Sequence, residues 1–253
     1  MSALVRAGYS DITLPAAGMI NQIIQGRNLY DGTVRGVGLE SGTLSQILEQ
    51  HPLFLEAFRN AEVRSVVEYR RIMNLFLILS LYFDPLSSKD VIEFGSYKGG
   101  SAVFIATVLK RLYPGAKVYT CDTFEGMPKT DMQFDLHKAG DFADTDMEDL
   151  LRYAESIGLD NLVAVKGLVE DTFPSTFSLD QRFGLAHIDL DIYHSIKYIQ
   201  SAVYPYISRG GYVVYDDATA STCLGATQAV EEWIARGHRC EQIYPHFVFR
   251  AHL

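Results

Sequence analysis

The stretch VIEFGSYKGGSA, residues 91 to 102, decides the fold class of this chain. Its first four residues predict a buried β-strand, and the run that begins at Ser101 has the periodicity of an amphipathic helix. Gly95 and the pair Gly99 and Gly100 separate these two runs. A strand, a glycine-rich turn and a helix in this order begin a unit in which crossover helices join parallel strands.

The same alternation continues to the end of the sequence. We predict an α/β fold with a seven-stranded sheet, in which the last two strands form an antiparallel pair. Helices are expected at 101 to 112 and at about 224 to 236. The predicted strands are 90–94, 117–121, 162–166, 183–189, 211–217, 240–244 and 246–252.

Two segments stand apart from this alternation. Residues 1–62 are punctuated by glycine and carry one helical pattern at about 44 to 60, so we expect a helical cap before a main domain at 63–253. Residues 125–149 are polar and acidic. Because long loops inside compact domains are usually functional or mobile, we expect this segment to be a lid.

Length, composition and charge restrict the class of protein. With 253 residues, 48% of them hydrophobic, the chain can bury the core of one large domain or of a domain with an appendage. A formal net charge of −9 argues against nucleic-acid binding, which needs a basic face to displace counterions. Cys121, Cys223 and Cys240 have no CxxC spacing, which predicts reduced core residues.

Neither a signal peptide nor a membrane span is predicted. The N-terminal residues lack the charged start and continuous apolar stretch of a secretory signal. The strongest apolar run, residues 72–83, is shorter than the about 20 residues that a membrane helix needs, so we expect a buried helix there. A cytoplasmic protein is the resulting expectation.

The glycine loop after the first strand restricts the ligand. Its pattern is ExGxxxGG, and Tyr97 stands where a dinucleotide fingerprint has its second glycine, so a ligand without a pyrophosphate is favoured. Glu93 at the strand end would repel phosphate but favour an ammonium or sulfonium group. This chemistry fits S-adenosylmethionine, with its amino-acid end near Glu93 and the amides around Ser101. The alternative is a turn in which the glycines only permit close packing.

Asp122 directly follows the second predicted strand. In doubly wound sheets an acidic residue at this position can accept hydrogen bonds from both ribose hydroxyls. By itself the residue is weak support, because aspartate commonly begins turns. Together with the glycine loop it favours a nucleoside ligand.

A third group of residues is acidic and lies in HIDLDIYH, residues 187–194, and YDDATA, residues 215–220. Parallel pairing of the two strands would bring Asp189, Asp216 and Asp217 to one sheet edge, where three like charges are costly unless a cation neutralises them. Magnesium is the expected ion. The alternative is that these carboxylates cap helices and face solvent.

The neighbouring aspartate and histidines leave further alternatives open. Asp191 is expected to touch the amino-acid end of S-adenosylmethionine or to cap a helix. His187 and Asp189, with His238 or His246, could form an iron site of two histidines and one carboxylate, but such oxygenases usually use an antiparallel barrel.

Two further side chains are candidates for the acceptor site. His137, in the expected lid, is either a general base or a solvated surface residue. Tyr193 either lines the acceptor pocket or packs in the core.

With these residues in place, the chain resembles the macrocin O-methyltransferase family, which includes the mycinamicin and noviose enzymes of antibiotic biosynthesis. The matching segments cover most of the chain in order and approximate spacing. They are EFGSYKGGSA (93–102), DTFEGMP (122–128), KGLVEDTFP (166–174), HIDLDIYHS (187–195) and GGYVVYDDA (210–218).

The resemblance implies a Rossmann-like class I methyltransferase, with S-adenosylmethionine as donor, S-adenosylhomocysteine as product, and a bound Mg²⁺. It also implies a small-molecule hydroxyl acceptor, often on a deoxysugar of a glycoside. Asp189, Asp216 and Asp217 match the metal ligands, and Asp189 also matches the proton acceptor. The residues that match the donor pocket are Glu93, Gly95, Ser96, Tyr97, Ser101, Asp122, Thr123, Phe124, Gly167 and Leu168.

Other functions fit the residues less well. A cation-dependent catechol or phenol O-methyltransferase would use the same donor and metal pockets but need a flat aromatic slot. A non-catalytic sensor of S-adenosylmethionine would leave the aspartate cluster unexplained, and a dehydrogenase fits the glycine loop least. A homo-oligomer is compatible with all of these interpretations.

Overall fold

The structure is a computed structural model that describes residues 43–243 and 245–253, together with four two-residue strands near the start of the chain. Two compact units are present, Met1–Glu49 (the first unit) and Gln50–Leu253 (the second unit). Most of the predicted N-terminal cap lies outside the described residues. The first unit contains the antiparallel pairs β1 (Leu4–Val5) with β2 (Ile12–Thr13) and β3 (Ile23–Ile24) with β4 (Arg27–Asn28), then helix α1 (Thr43–Leu48).

Helices and strands alternate along the second unit from its first strand until the last two strands, which follow each other directly. Short 3₁₀ turns at Tyr204–Tyr206 and Asp217–Thr219 interrupt this pattern. The elements are α2 (Pro52–Ala61), α3 (Tyr69–Leu77), β5 (Val91–Phe94), α4 (Gly100–Leu112), β6 (Val118–Asp122), α5 (Met147–Ser156), β7 (Leu162–Lys166), α6 (Val169–Thr176), β8 (Phe183–Ile188), α7 (Tyr193–Val203), β9 (Ile207–Tyr215), α8 (Leu224–Ala235), β10 (Cys240–Gln242) and β11 (Phe247–Arg250).

The seven strands of the second unit form one sheet in the order β10-β11-β9-β8-β5-β6-β7. β11 runs antiparallel to both of its neighbours, and the other neighbouring strands are parallel. The chain moves outward from β5 to β6 and β7, then returns to the other side of β5 as β8 and β9. The strand order therefore reverses between β5 and β8, which is where open α/β sheets bind their ligands.

The predicted α/β sheet of seven strands and its closing antiparallel pair are confirmed. β8 ends at Ile188 and β9 at Tyr215, so the three acidic residues predicted to end these strands directly follow them. β9 begins at Ile207, earlier than predicted, after an irregularity in its pairing with β8. The carboxyl ends of β5, β6, β8 and β9 consequently lie at one edge.

A cluster of aromatic rings holds α2 against the layer of helices on the sheet. Phe54 of α2 is fully buried, and its ring meets the rings of Phe76 and Phe104 edge to face, with centroids 5.4 and 5.8 Å apart. Edge-to-face pairs at this separation stabilise a core beyond the area that they bury. Residues 50–61 therefore belong to the second unit, although the boundary predicted from the sequence lay after residue 62.

The prediction of one continuous helix over about 44 to 60 is wrong, because this segment forms two helices. α1 ends at Leu48, and α2 begins at Pro52 after His51 in extended conformation. Proline lacks an N–H and restricts the preceding residue to extended backbone, so it starts a new helix rather than continuing one.

The apolar run at 72–83 forms the buried helix that the sequence predicts. α3 continues into a π-helical turn at Ile78–Tyr82, and the run is buried from Ile72 to Leu79. Leu81 and Tyr82 are exposed at its end. In the part of the chain that the structure describes, no helix has the length and apolar character needed to cross a membrane.

Gly95 allows the end of β8 to approach the loop after β5. Its φ is +85°, and a Cβ at this position would lie 1.7 Å from the carbonyl oxygen of Asp189. The Asp189 N–H donates to the Phe94 carbonyl at 2.8 Å, which holds the two strand ends together. Only glycine fits here, because a side chain would collide with backbone that cannot rotate away.

Gly95→Ala should destabilise the protein more than Gly115→Ala does. Both glycines have positive φ, but nothing lies within 4 Å of a Cβ placed on Gly115. Gly115→Ala should therefore cost only the backbone strain, about 1–2 kcal/mol. Gly95→Ala should lower the free energy of unfolding, measured in urea, by at least twice that amount. Equal losses would contradict the close approach to Asp189.

Candidate active site

A cavity of about 340 Å³ opens at the carboxyl ends of β5, β6, β8 and β9. Side chains of α3 and of the loop between β6 and α5 also line it. Five of the residues predicted for the site do not line it, namely Glu93, Ser101, Phe124, Gly167 and Tyr193. Those that do are Gly95, Ser96, Tyr97, Asp122, Thr123, His137, Leu168, Asp189, Asp191, Asp216 and Asp217.

Asp122 organises the glycine-loop wall of the cavity. Its Oδ2 accepts the N–H groups of Ser96 and Tyr97 at 2.7 and 2.9 Å, and its Oδ1 accepts the Phe124 N–H at 2.7 Å. Tyr97 and Phe124 have φ of +49° and +50°, a strained region for residues other than glycine. The Thr123 hydroxyl lies 3.4 Å from Oδ1 but donates to the Gly126 carbonyl at 2.6 Å, so Oδ1 keeps capacity for a further donor, such as a hydroxyl group in the cavity.

Glu93 lies beneath the cavity floor, fully buried. The Thr120 hydroxyl donates to its Oε2 at 2.7 Å, and its Oε1 lies 3.1 Å from His187 Nδ1. The sequence placed Glu93 against a ligand's ammonium group, whereas in the structure both carboxylate oxygens already have partners. Its contact with His187 shows that it helps to hold that ring.

Tyr193 also turns away from the cavity. Its ring stacks on Phe134 with centroids 4.1 Å apart, and its hydroxyl donates to Glu232 at 2.8 Å. The Tyr193 N–H donates to Asp135 Oδ1 at 2.9 Å. These contacts match the packing role that the sequence left open, and they anchor the loop before α5 to the start of α7.

The predicted carboxylate cluster forms at the cavity edge. One oxygen each of Asp189, Asp216 and Asp217 lies within 4.8 Å of the others. Burial and the neighbouring carboxylates raise the pKa of both Asp189 and Asp217 well above the usual range. Three hard oxygen donors whose charges repel one another form a donor set that suits Mg²⁺.

Asp216 differs from the other two because it has positively charged and hydrogen-bonding partners. Arg71 of α3 donates to its Oδ2 at 2.6 Å, and His246 Nε2 lies 2.8 Å from its Oδ1. Burial alone would raise the pKa of Asp216, but the charge of nearby His187 and the hydrogen bond from His246 outweigh burial and lower it well below the usual value. Asp216 is therefore ionised and fixed in place.

Two buried histidines support Asp216 in different protonation states. His187 has Glu93 on one side and Asp216 Oδ1 at 3.5 Å on the other, and these carboxylates outweigh burial and raise its pKa to about 9. Burial lowers the pKa of His246, which is therefore neutral at pH 7. Its Nε2 must donate to the carboxylate, so its Nδ1 accepts from Asn74 at 3.2 Å.

The histidine-rich iron site considered from the sequence is not formed as proposed. His187 and His246 meet around Asp216 rather than Asp189, and neither ring lines the cavity. His238 lies elsewhere, stacked on Trp233 with centroids 3.6 Å apart. The parallel sheet also excludes the antiparallel barrel on which that hypothesis depended.

His137 reaches the cavity from the segment predicted as a lid. Its Nε2 lies 3.7 Å from both Asp191 Oδ1 and Cys223 Sγ, and its Nδ1 lies 3.3 Å from Asp141 Oδ2. This segment is connected to the glycine loop as well, because the Tyr97 hydroxyl donates to Asp144 at 2.8 Å. The sequence did not predict that Cys223 and Arg71 line the cavity, because neither residue lies in a recognisable motif.

A family model and related proteins match this chain. The model described as macrocin O-methyltransferase (TylF) matches residues 65–238. An 8-demethyl-8-(2,3-dimethoxy-alpha-L-rhamnosyl)-tetracenomycin-C 4'-O-methyltransferase from Streptomyces olivaceus is 27% identical over 64% of this chain and 65% of its own length. Mycinamicin III 3''-O-methyltransferase from Micromonospora griseorubida is 28% identical over 57% of this chain and 59% of its own length. This chain thus spans less than two thirds of either relative.

Solved structures share the fold. The O-methyltransferase NovP superposes with a TM-score of 0.65 at 20% identity, covering 88% of this chain and 98% of that one. CalS11, described as a calicheamicin methyltransferase, has a TM-score of 0.62 at 20% identity and covers 91% and 99%. PaMTH1 of Podospora anserina, described as SAH-bound, has a TM-score of 0.56 at 14% identity and covers 91% and 98%. The sheet and its helices are those of class I methyltransferases.

Arg71→Gln should destabilise the protein far more than Arg70→Gln does. Arg71 is nearly buried and pairs with the buried Asp216, whereas Arg70 pairs with Glu68 at the surface. Loss of one partner of a buried pair costs about 3–5 kcal/mol, and loss of an exposed pair costs at most about 1 kcal/mol. Urea unfolding of both variants in a chelator measures the difference. Comparable losses would show that Asp216 does not depend on Arg71.

Stability should fall as pH rises from about 6.5 through about 9, because folded His187 holds a proton that the unfolded chain releases in this interval. His187→Gln should flatten that slope. His194→Gln, at an exposed histidine, should preserve it. The free energy of unfolding, measured against pH in a chelator, tests this. An unchanged slope in His187→Gln would contradict a charged His187.

Proposed function

Because the chain belongs to the macrocin O-methyltransferase family, we propose that it transfers the methyl group of S-adenosylmethionine to a hydroxyl of a small molecule. The resemblance found in the sequence motifs is confirmed by the family match over residues 65–238. We place the acceptor hydroxyl on a deoxysugar of a glycosylated natural product. The observation that supports this proposal most is that three aspartates and the glycine loop with Asp122 line the same cavity.

The donor pocket is assigned to the glycine-loop side of the cavity. Gly95, Ser96 and Tyr97 form its wall, and the remaining acceptor capacity of Asp122 Oδ1 suits a ribose hydroxyl. Leu168, 40% exposed, offers an apolar contact to a nucleobase. When bound, the donor supplies an electrophilic methyl group on a sulfonium and leaves as S-adenosylhomocysteine.

The metal is assigned to Asp189, Asp216 and Asp217 because their donor set fits Mg²⁺. A cation there supplies a positive charge that makes a nearby hydroxyl more acidic. Arg71 and the two histidines keep Asp216 ionised, so this ligand is ready at neutral pH. The aspartates that lack such partners bear the repulsion that a cation would relieve.

Asp189 is the proton acceptor in this proposal. It has no positively charged partner comparable to that of Asp216, and burial and the nearby carboxylates raise its pKa well above the usual range. A bound cation would lower that pKa and so ionise Asp189, and it would also make the hydroxyl more acidic, so the metal supplies most of the activation and Asp189 accepts the proton. Gly95 holds the Asp189 backbone against the donor loop, which orients the base toward the reacting groups.

The relatives support the sugar acceptor. The name of the tetracenomycin enzyme describes a rhamnosyl compound that is methylated at a 4' oxygen, and that of the mycinamicin enzyme describes methylation at a 3'' oxygen. A catechol or phenol acceptor would use the same donor and metal pockets. Incubation with labelled donor and two acceptor panels, glycosides and catechols, distinguishes these classes. Labelling confined to catechols would overturn the sugar assignment while leaving methyl transfer intact.

Asp217→Asn should lower turnover by on the order of 100-fold or more, because a metal ligand that supplies several kcal/mol to the transition state is lost. Donor binding, measured by calorimetry, should be unchanged. Asp160→Asn is the matched control, since Asp160 is highly exposed and pairs with Lys110 on the surface. Excess chelator should also abolish turnover, and added Mg²⁺ should restore it. Full activity in Asp217→Asn or in chelator would refute the metal assignment.

A further inference from the structure

A second set of metal-ligating side chains faces the cavity from three separate loops. His137 lies between β6 and α5, Asp191 between β8 and α7, and Cys223 directly before α8. One ligand atom from each residue lies within 4.8 Å of the others, and all three residues line the cavity. This set shares no member with the three aspartates assigned to magnesium.

The distances among the ligand atoms match one face of a tetrahedral zinc site. His137 Nε2 lies 3.7 Å from Asp191 Oδ1 and from Cys223 Sγ, and Sγ lies 3.2 Å from Oδ1. With metal bonds of about 2.0–2.3 Å, tetrahedral ligand atoms lie about 3.3–3.6 Å apart. Shifts of a few tenths of an ångström would therefore bring all three atoms to one ion.

The contacts of His137 resemble those of a histidine that binds a metal ion. Asp141 Oδ2 lies 3.3 Å from His137 Nδ1, which leaves Nε2 directed at the other two ligand atoms. A carboxylate behind the ring is the usual outer partner of a zinc-bound histidine. On the opposite side, the Asp191 N–H donates to Asp217 Oδ2 at 2.8 Å, which holds Asp191 in its φ of +60°.

The chemistry of the three donors distinguishes this set from the magnesium cluster. The Cys223 thiol donates to Asp191 Oδ1 at 3.2 Å, and a bound ion would replace that proton. Thiolate and imidazole are softer ligands that select zinc and related transition metals, whereas Mg²⁺ takes oxygen ligands. Three protein ligands would leave the fourth tetrahedral position of a bound ion open, and all three residues line the cavity.

We propose that His137, Asp191 and Cys223 form a zinc-class metal site. A bound ion would join the loop that carries His137 to the sheet edge and so hold that loop over the cavity. It would give Asp191 a role other than the donor contact predicted from the sequence. The proposal does not depend on methyl transfer, because it rests on the positions and chemistry of these three side chains alone.

Titration of the metal-free protein with Co²⁺, in excess Mg²⁺, tests this site. Cobalt bound to a thiolate gives a charge-transfer absorption that oxygen ligands do not give. We expect that absorption to saturate at one Co²⁺ per chain and to disappear when Zn²⁺ is added. Co²⁺ binding without the absorption would overturn the proposal.

Variants of single ligands identify the thiol. Cys223→Ser should abolish the absorption although Cys121 and Cys240 remain. Cys240→Ser, the control at a partly exposed thiol outside the set, should preserve it. His137→Gln should weaken Co²⁺ binding at least about tenfold while leaving the melting temperature in chelator unchanged. An absorption that survives in Cys223→Ser, or is lost in Cys240→Ser, would refute the assignment.

Discussion

A buried carboxylate costs several kcal/mol unless opposite charge and hydrogen bonds compensate for its lost hydration, and Asp216 is such a group. Three residues from different parts of the chain compensate for this cost. Arg71 lies in α3, His187 lies in β8, and His246 directly precedes β11. The positions of α3 and of the start of β11 relative to β8 are therefore coupled to the charge of one side chain at the cavity edge.

This compensation makes three neighbouring aspartates chemically unequal. Asp216 receives the cationic and hydrogen-bonding partners, so its pKa is lowered, whereas burial and repulsion raise the pKa of Asp189 and Asp217. One cluster thus contains a permanently ionised carboxylate and two carboxyl groups that hold protons more tightly. Neighbouring titratable groups whose pKa values are shifted in opposite directions are a common feature of sites that combine charge stabilisation with proton transfer.

The two walls of the cavity are organised by different kinds of interaction. On the side of the glycine loop, Asp122 accepts backbone N–H groups of both neighbouring loops, so main-chain hydrogen bonds set the shape of that wall. On the opposite side, His137, Asp191 and Cys223 meet through side chains from separate loops. A wall shaped by main-chain bonds suits a ligand common to a family, while a wall built from loop side chains can vary between its members.

The sequence by itself determined the sheet and the edge at which the acidic residues meet. Strand and helix periods are local properties, and parallel connections bring the carboxyl ends of strands together, so Asp122, Asp189 and the pair Asp216 and Asp217 line one cavity at that edge. Only the tertiary structure decided which groups compensate these charges. Arg71 lies on a helix far away in sequence, and no local pattern encodes its contact with Asp216. For the same reason the burial of Glu93 and the meeting of the three loop side chains emerged only on folding, since side-chain direction depends on packing between distant segments.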